Sequence, residues 1–227
     1  MNEIRIESFE QLHSVIEKRY GFQTYHVYRG VNDAEYELIP RIGRLKQYTP
    51  KLERDIFSTF KMRGRPFLAS GFDNDNDWHW LAVAQHHGLP TRLLDWTRNP
   101  LAAAFFAVAE SSYCPKSKRK DAAIFVLNAP VMINTVDYPD PFRMTGVFDP
   151  PVVTPRVASQ SGLFTIHRSP RRPFEGRSVE KLTIPGSLRE KIRKILYRYG
   201  THSASLFPDL DGLARCLEWL KTDGEGN

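Results

Sequence analysis

No stretch of 18 apolar residues occurs in the chain, and the opening MNEIRIESFE lacks a basic segment followed by an apolar one. Neither a membrane-spanning helix nor a secretory leader is expected, which points to a cytoplasmic protein with no membrane partner. Cysteine is scarce. Cys114 and Cys216 stand far apart without ligand-like spacing, so neither a disulfide framework nor a zinc site is indicated. Gly-x-Gly-x-x-Gly, Gly-x-x-x-x-Gly-Lys-Ser/Thr, His-Glu-x-x-His and Gly-x-Ser-x-Gly are all missing. Their absence disfavours Rossmann and P-loop nucleotide sites, metalloprotease zinc and α/β-hydrolase chemistry, and no metal is expected. Internal repeats and low-complexity linkers are absent as well.

What is present suits one domain spanning residues 1–227. A chain of 227 residues with 41% apolar side chains can bury one substantial core. Sixteen prolines and 14 glycines imply many turns and short elements, favouring an α+β fold with a mixed or antiparallel central sheet flanked by helices. The net charge of +6 is a mild basic excess that favours phosphates or nucleic acid without requiring them.

Local patterning places the elements. Phe9, Leu12 and Ile16 recur at helical spacing behind Ser8 and Gln11, which read as a capping box. The alternating run from His26 to Val31 predicts a strand whose end delivers Arg29, with a further strand near Glu35 to Ile39. Leu52, Ile56 and Phe60 predict a helix ending near Gly64, and Asp77 caps the next one, through about His87. A short strand follows before Thr97, then Asn99 and Pro100 open an Ala-rich helix. Ala122 to Leu127 reads as a core strand, and the Pro-rich stretch 129–160 as a long irregular excursion. Strands are expected at Leu163 to His167 and Lys181 to Ile184. Two C-terminal helices should follow, the first opened by a Ser187–Glu190 capping box, the last burying Leu210, Leu213, Leu217 and Leu220 behind an Asp209 or Asp211 cap.

Several ordered blocks resemble the FRG domain family, named for a Phe-Arg-Gly signature that here reads Tyr28-Arg29-Gly30. The most specific block runs from Ala84 through His86 and His87 to Thr91-Arg92-Leu93-Leu94-Asp95-Trp96-Thr97. Arg156 to His167, including Gln160, and Ser205 to Ala214 also match. A strand-borne Val-Tyr-Arg-Gly, a later polar strand and an Ala-rich helix further resemble part of the mono-ADP-ribosyltransferase plan. That resemblance implies NAD as substrate, consumed by ADP-ribosyl transfer or hydrolysis in bacterial defence or toxicity. Arg29, His86 and Gln160 become the candidate catalytic residues. Tyr28, Arg29, Gly30, Thr91, Arg92, Asp95, Trp96, Thr97 and Arg156 become candidates for holding the dinucleotide. A guanidinium suits that task because its fixed fork binds two phosphate oxygens at once.

The plan's third motif, a Glu-x-Glu or Gln-x-Glu pair, is missing, and Gln160 carries no charge with which to support a cationic transition state. Glu175 or Glu180 could supply it if the fold brings either in. Each candidate also has a structural role open to it. Arg29 suits a buried ion pair with Asp95, His86 a helix end, Trp96 the core, and Asp209 and Asp211 helix caps. Two non-catalytic readings remain beside the enzyme: a nucleic-acid-binding module using Lys116 to Lys120 and Arg168 to Arg177, and a sensor or scaffold whose cleft takes a nucleotide or a protein partner.

Overall fold

Seven strands share one sheet. The computed structural model describes residues 2–21, 25–68, 72–109, 119–129, 131–150, 158–174 and 179–224. Strand β1 covers Asn2–Arg5, β2 His26–Val31, β3 Leu93–Thr97, β4 Ala122–Asn128, β5 Gly146–Phe148, β6 Gly162–Ile166 and β7 Val179–Ile184. Their spatial order is β1-β7-β4-β2-β3-β6-β5; β1 and β7 run parallel and every other neighbouring pair is antiparallel. The α-helices among the described residues are α1 (Phe9–Arg19), α2 (Pro50–Gly64), α3 (Asp77–His86), α4 (Pro100–Val108), α5 (Arg189–Arg198), α6 (Ser203–Leu206) and α7 (Leu210–Trp219). This is the mixed-sheet α+β arrangement that the sequence implies. No described helix is long and apolar enough to cross a membrane.

Side-chain alternation along the strands sorts the core. Tyr28 of β2, Ile124 and Val126 of β4, and Leu182 and Ile184 of β7 pack with α1, α4 and α5. On the opposite face Val27, Phe125 and Leu127 meet Leu94, Trp96 and Leu163, covered by Ala34, Leu38 and Phe174 from connecting segments. The far half of the sheet packs Leu93, Phe148, Phe164 and Ile166 against Phe57 of α2 and Trp78, Trp80 and Leu81 of α3.

One close approach explains the glycine of the Tyr-Arg-Gly signature. A Cβ on Gly30 would lie 1.9 Å from the Ala103 carbonyl oxygen and 2.6 Å from the Ala107 nitrogen, both backbone atoms of α4. Helix α4 can rest directly on β2 because Gly30 has no side chain and Ala102, Ala103, Ala104 and Ala107 have small ones. Its start is fixed by the Asn99 side chain, which accepts from the Leu101 and Ala102 amides, with Pro100 in the first turn.

Several expectations are corrected. Residues 35–39 form turns rather than a strand, since the Asp33 carboxylate accepts the Glu35 amide and closes a local loop. The Ser8 cap forms, but Gln11 reaches back to the Glu7 amide, one residue upstream of the reciprocal box. Asn76, not Asp77, caps α3. Ser187 sits in a 3-10 turn without a side-chain cap, and Glu190 pairs with Arg119 and Lys194 instead. Asp209 caps α7 as expected, but that helix buries Gly212, Cys216 and Trp219, leaving Leu210, Leu213 and Leu217 exposed. On α2 the buried positions are Glu53 and Phe57.

Candidate functional site

Strands β2 and β3 part after a single residue pair. β2 matches β4 over six positions, from His26↔Asn128 to Val31↔Ala123, yet meets β3 only at Tyr28↔Thr97. Beyond that pair Arg29 bridges the seam. Its Nη1 donates to the Asp95 carbonyl oxygen at 2.7 Å and stands 3.5 Å from the Asp95 carboxylate. A side chain thus takes an acceptor on β3 where a continued ladder would have used a backbone amide.

A cavity of about 310 Å³ opens at this seam, between the C-terminal end of α3 and helix α4. Tyr28, Arg29 and Gly30 line it from β2, Asp95, Trp96 and Thr97 from β3. Gln85 and His86 come from α3, Phe106 from α4, and Gln160 with Gly162, Leu163 and Phe164 from the segment entering β6. Asp95 is the one carboxylate among these described lining residues. Its side chain is 60% exposed and accepts from Gln85 Nε2 at 2.9 Å, while Gln85 Oε1 accepts from the Thr91 hydroxyl at 2.6 Å.

Burial pushes the Arg29 guanidinium below its usual range; the Asp95 charge opposes that shift and the field of Arg44 adds to it. Arg29 Nε is shielded from solvent and has no hydrogen-bond acceptor among the described residues. Such orphaned buried donors are rare, because each forfeits its bond to water without replacement. Behind the seam, Trp96 Nε1 donates to Thr165 Oγ1, which shares a further hydrogen bond with His167 Nε2 at 2.9 Å. Burial, with Arg29 and Arg92 adding, holds His167 down at about 4, so this imidazole is neutral near pH 7.

The cavity therefore gathers Tyr28, Arg29, Gly30, His86, Asp95, Trp96, Thr97 and Gln160. Three of these are also committed to structure. The Trp96 ring is 2% exposed. The Thr97 hydroxyl donates to the Gln160 carbonyl at 2.6 Å and accepts the Asn99 amide. The Gln160 Nε2 donates to the Leu206 carbonyl, and its Oε1 has no partner among the described residues.

Thr91 and Arg92 do not line the cavity. Arg92 is 4% exposed and forms a two-point ion pair with Glu53 of α2, at 2.7 and 2.5 Å, while its Nη1 donates to the Phe142 and His167 carbonyls. Arg156 and Glu175 lie outside the described residues. Glu180 sits on β7, where the Arg19 guanidinium and then the Tyr20 hydroxyl hold it at about 2, occupied and away from the cavity. Gln85 and Phe106 also line the cavity, though no local sequence signal marks Phe106; Gln85 stands beside His86 in the most specific block. Among the described residues no set of three His, Cys, Asp or Glu has the disposition of a metal site.

Residues 24–114 match the FRG domain family model. The matched range contains α4 and every cavity residue up to Phe106, but not Gln160 or the β6 wall. No curated protein and no solved structure matches the chain.

Proposed function

We propose that the seam cavity is a nucleotide site and that its substrate is NAD, cleaved at the bond between nicotinamide and ribose. The observation that carries this reading is the meeting of Arg29 and Asp95 at one cavity, with the Arg29 Nε donor still lacking an acceptor. A phosphate oxygen at the exposed end of the guanidinium supplies a full negative charge for it. The cavity lies at the small end of ligand sites, which run to about 300–1,000 Å³, so it takes the nicotinamide riboside end while the remainder of the dinucleotide lies along its mouth.

In the bond-breaking step the C1′–N bond cleaves and nicotinamide departs neutral with the electron pair, leaving positive charge on the ribose. Asp95 is the side chain that faces this charge, in place of the glutamate of the missing third motif. Water or an acceptor hydroxyl then attacks C1′ and gives its proton to His86 or to solvent. Gln160 Oε1 accepts from a ribose hydroxyl, and Tyr28 and Phe106 wall the aromatic ring. Such NAD consumption suits a toxin or defence effector.

Purified protein incubated with NAD should release nicotinamide, read by chromatography, or place labelled ADP-ribose on an acceptor. Asp95→Asn keeps the shape but removes the charge, and should slow release by roughly 10²–10³-fold; Arg29→Lys should weaken binding. If folded wild type releases no nicotinamide and transfers no label, the catalytic reading fails. NAD-dependent thermal stabilisation without turnover would then leave a nucleotide sensor.

A further inference from the structure

A strongly cationic surface lies beside the cavity without lining it. Arg41, Arg44 and Lys46 stand on the segment that follows the residue 33–37 turns; Arg168, Arg171 and Arg172 stand on the loop after β6, and all six are exposed. The two segments are pressed together: a Cβ on Gly43 would lie 1.8 Å from the Pro170 carbonyl oxygen. Arg171 reinforces the contact by donating to the carbonyls of Leu45, Lys46 and Tyr48.

None of these six cations forms an ion pair among the described residues. Residues 38–52 and 168–174 contain no Asp or Glu at all. Where the guanidiniums are anchored, they are anchored by carbonyls: Arg41 on Gly88, Arg44 on Ile39, Arg171 on the three just named. Carbonyl anchoring fixes the position of a charge without neutralising it, so Arg41, Arg44 and Arg171 are positioned but uncompensated cations, with Lys46, Arg168 and Arg172 beside them. Arg44 also lies over the Tyr36 ring at 5.8 Å and Arg171 over Tyr48 at 5.5 Å, and Tyr36 is 47% exposed.

We propose that this paired-loop surface binds the phosphodiester backbone of single-stranded nucleic acid, with Tyr36 as a stacking platform for a base. Guanidinium forks match phosphate oxygens, and an aromatic ring set among cations suits unpaired bases, which carry a π-face whatever their identity. A lipid surface fits less well, because these two segments expose no large aliphatic side chain that could enter a bilayer. Arg41 is bonded to Gly88, two residues beyond His86 of the cavity, so the track reaches the cavity rim. The proposal stands whether or not that cavity turns over NAD.

The test is fluorescence anisotropy with a labelled single-stranded oligonucleotide of mixed sequence, titrated from about 50 to 200 mM salt, where phosphate binding weakens steeply. Lys46→Glu, Arg168→Glu and Arg172→Glu alter side chains with no protein partner among the described residues, so the combined variant keeps the fold. It should lose affinity by about tenfold or more at low salt, with the slope of log affinity against log salt shallower by roughly 2. A charge-matched control on other exposed helices, Lys18→Glu, Lys191→Glu and Arg198→Glu, should bind almost as wild type does. The proposal is overturned if wild type shows no binding at low salt, or if the control loses as much as the loop variant. Equal binding of anionic vesicles or polyglutamate through the same loops also overturns the nucleic-acid assignment.

Discussion

Replacing Arg92 by Met tests whether a guanidinium inside the most specific sequence block holds ligand or holds the fold. Arg92 and Glu53 have side chains 5% and 4% exposed, so truncating the cation strands a carboxylate where water cannot reach it. Breaking one half of a buried pair costs about 3–5 kcal/mol, because the remaining charge loses its partner but not its desolvation penalty. The Phe142 and His167 carbonyls lose a donor as well. For a chain of this size each kcal/mol lowers the Tm by about 2–4 °C, which places the drop at roughly 6–20 °C. Glu53→Leu should destabilise comparably, by stranding Arg92. The double variant Glu53→Leu/Arg92→Met should then recover much of the loss, since an apolar pair replaces an ionic one at little cost, short of about 1–3 kcal/mol for the orphaned carbonyls. Urea unfolding of the four proteins, followed by tryptophan fluorescence, gives the coupling directly. Additive losses, or an Arg92→Met protein with native stability and lost ligand binding, would refute the structural assignment.

Further perturbations probe the seam. Gly30→Ala drives a methyl into the α4 backbone and should cost about 1–3 kcal/mol or more through overpacking, whereas Gly21→Ala, whose Cβ meets its nearest neighbour at an ordinary 3.5 Å, serves as the control in thermal melts. His167 is held at about 4 when folded, against about 6.5 when unfolded, so between those values the unfolded chain binds the extra proton. Its contribution is therefore present above pH 6.5 and is lost as pH falls towards 4, by at most about 3 kcal/mol, and His167→Gln should flatten that part of a stability–pH profile; an unchanged profile would show that another group is responsible.

Where a signal is local, the sequence discloses the fold well. The Asn99 cap, Pro100 and the alanines of α4 announce that helix, and the apolar run of Ala122 to Leu127 announces a strand buried on both faces. Strand β1 shows no such mark: Asn-Glu-Ile-Arg has no useful alternation and becomes a strand by pairing in parallel with β7, as in Glu3↔Lys181. The leucines of α7 mislead because the docked face is selected by a close backbone approach: a Cβ on Gly212 would lie 1.9 Å from the Phe207 carbonyl oxygen. The site divides similarly. Arg29 and Asp95 were readable as partners, but Gln85 and Phe106 join them only because β2 and β3 separate, which no local pattern encodes. Arg92 looked like a ligand residue because its true partner, Glu53, lies 39 positions earlier on a helix whose apolar spacing favoured Leu52, Ile56 and Phe60 for burial.

A β-sheet ordinarily spreads its backbone cohesion over rungs that no single substitution can delete. Across the middle of this one, after Tyr28↔Thr97, that continuity is handed to the Arg29 side chain and its bond to the Asp95 carbonyl. Evolution can therefore retune the spacing of the two sheet halves through one codon, and any anion that draws the guanidinium towards itself tugs on the same stitch.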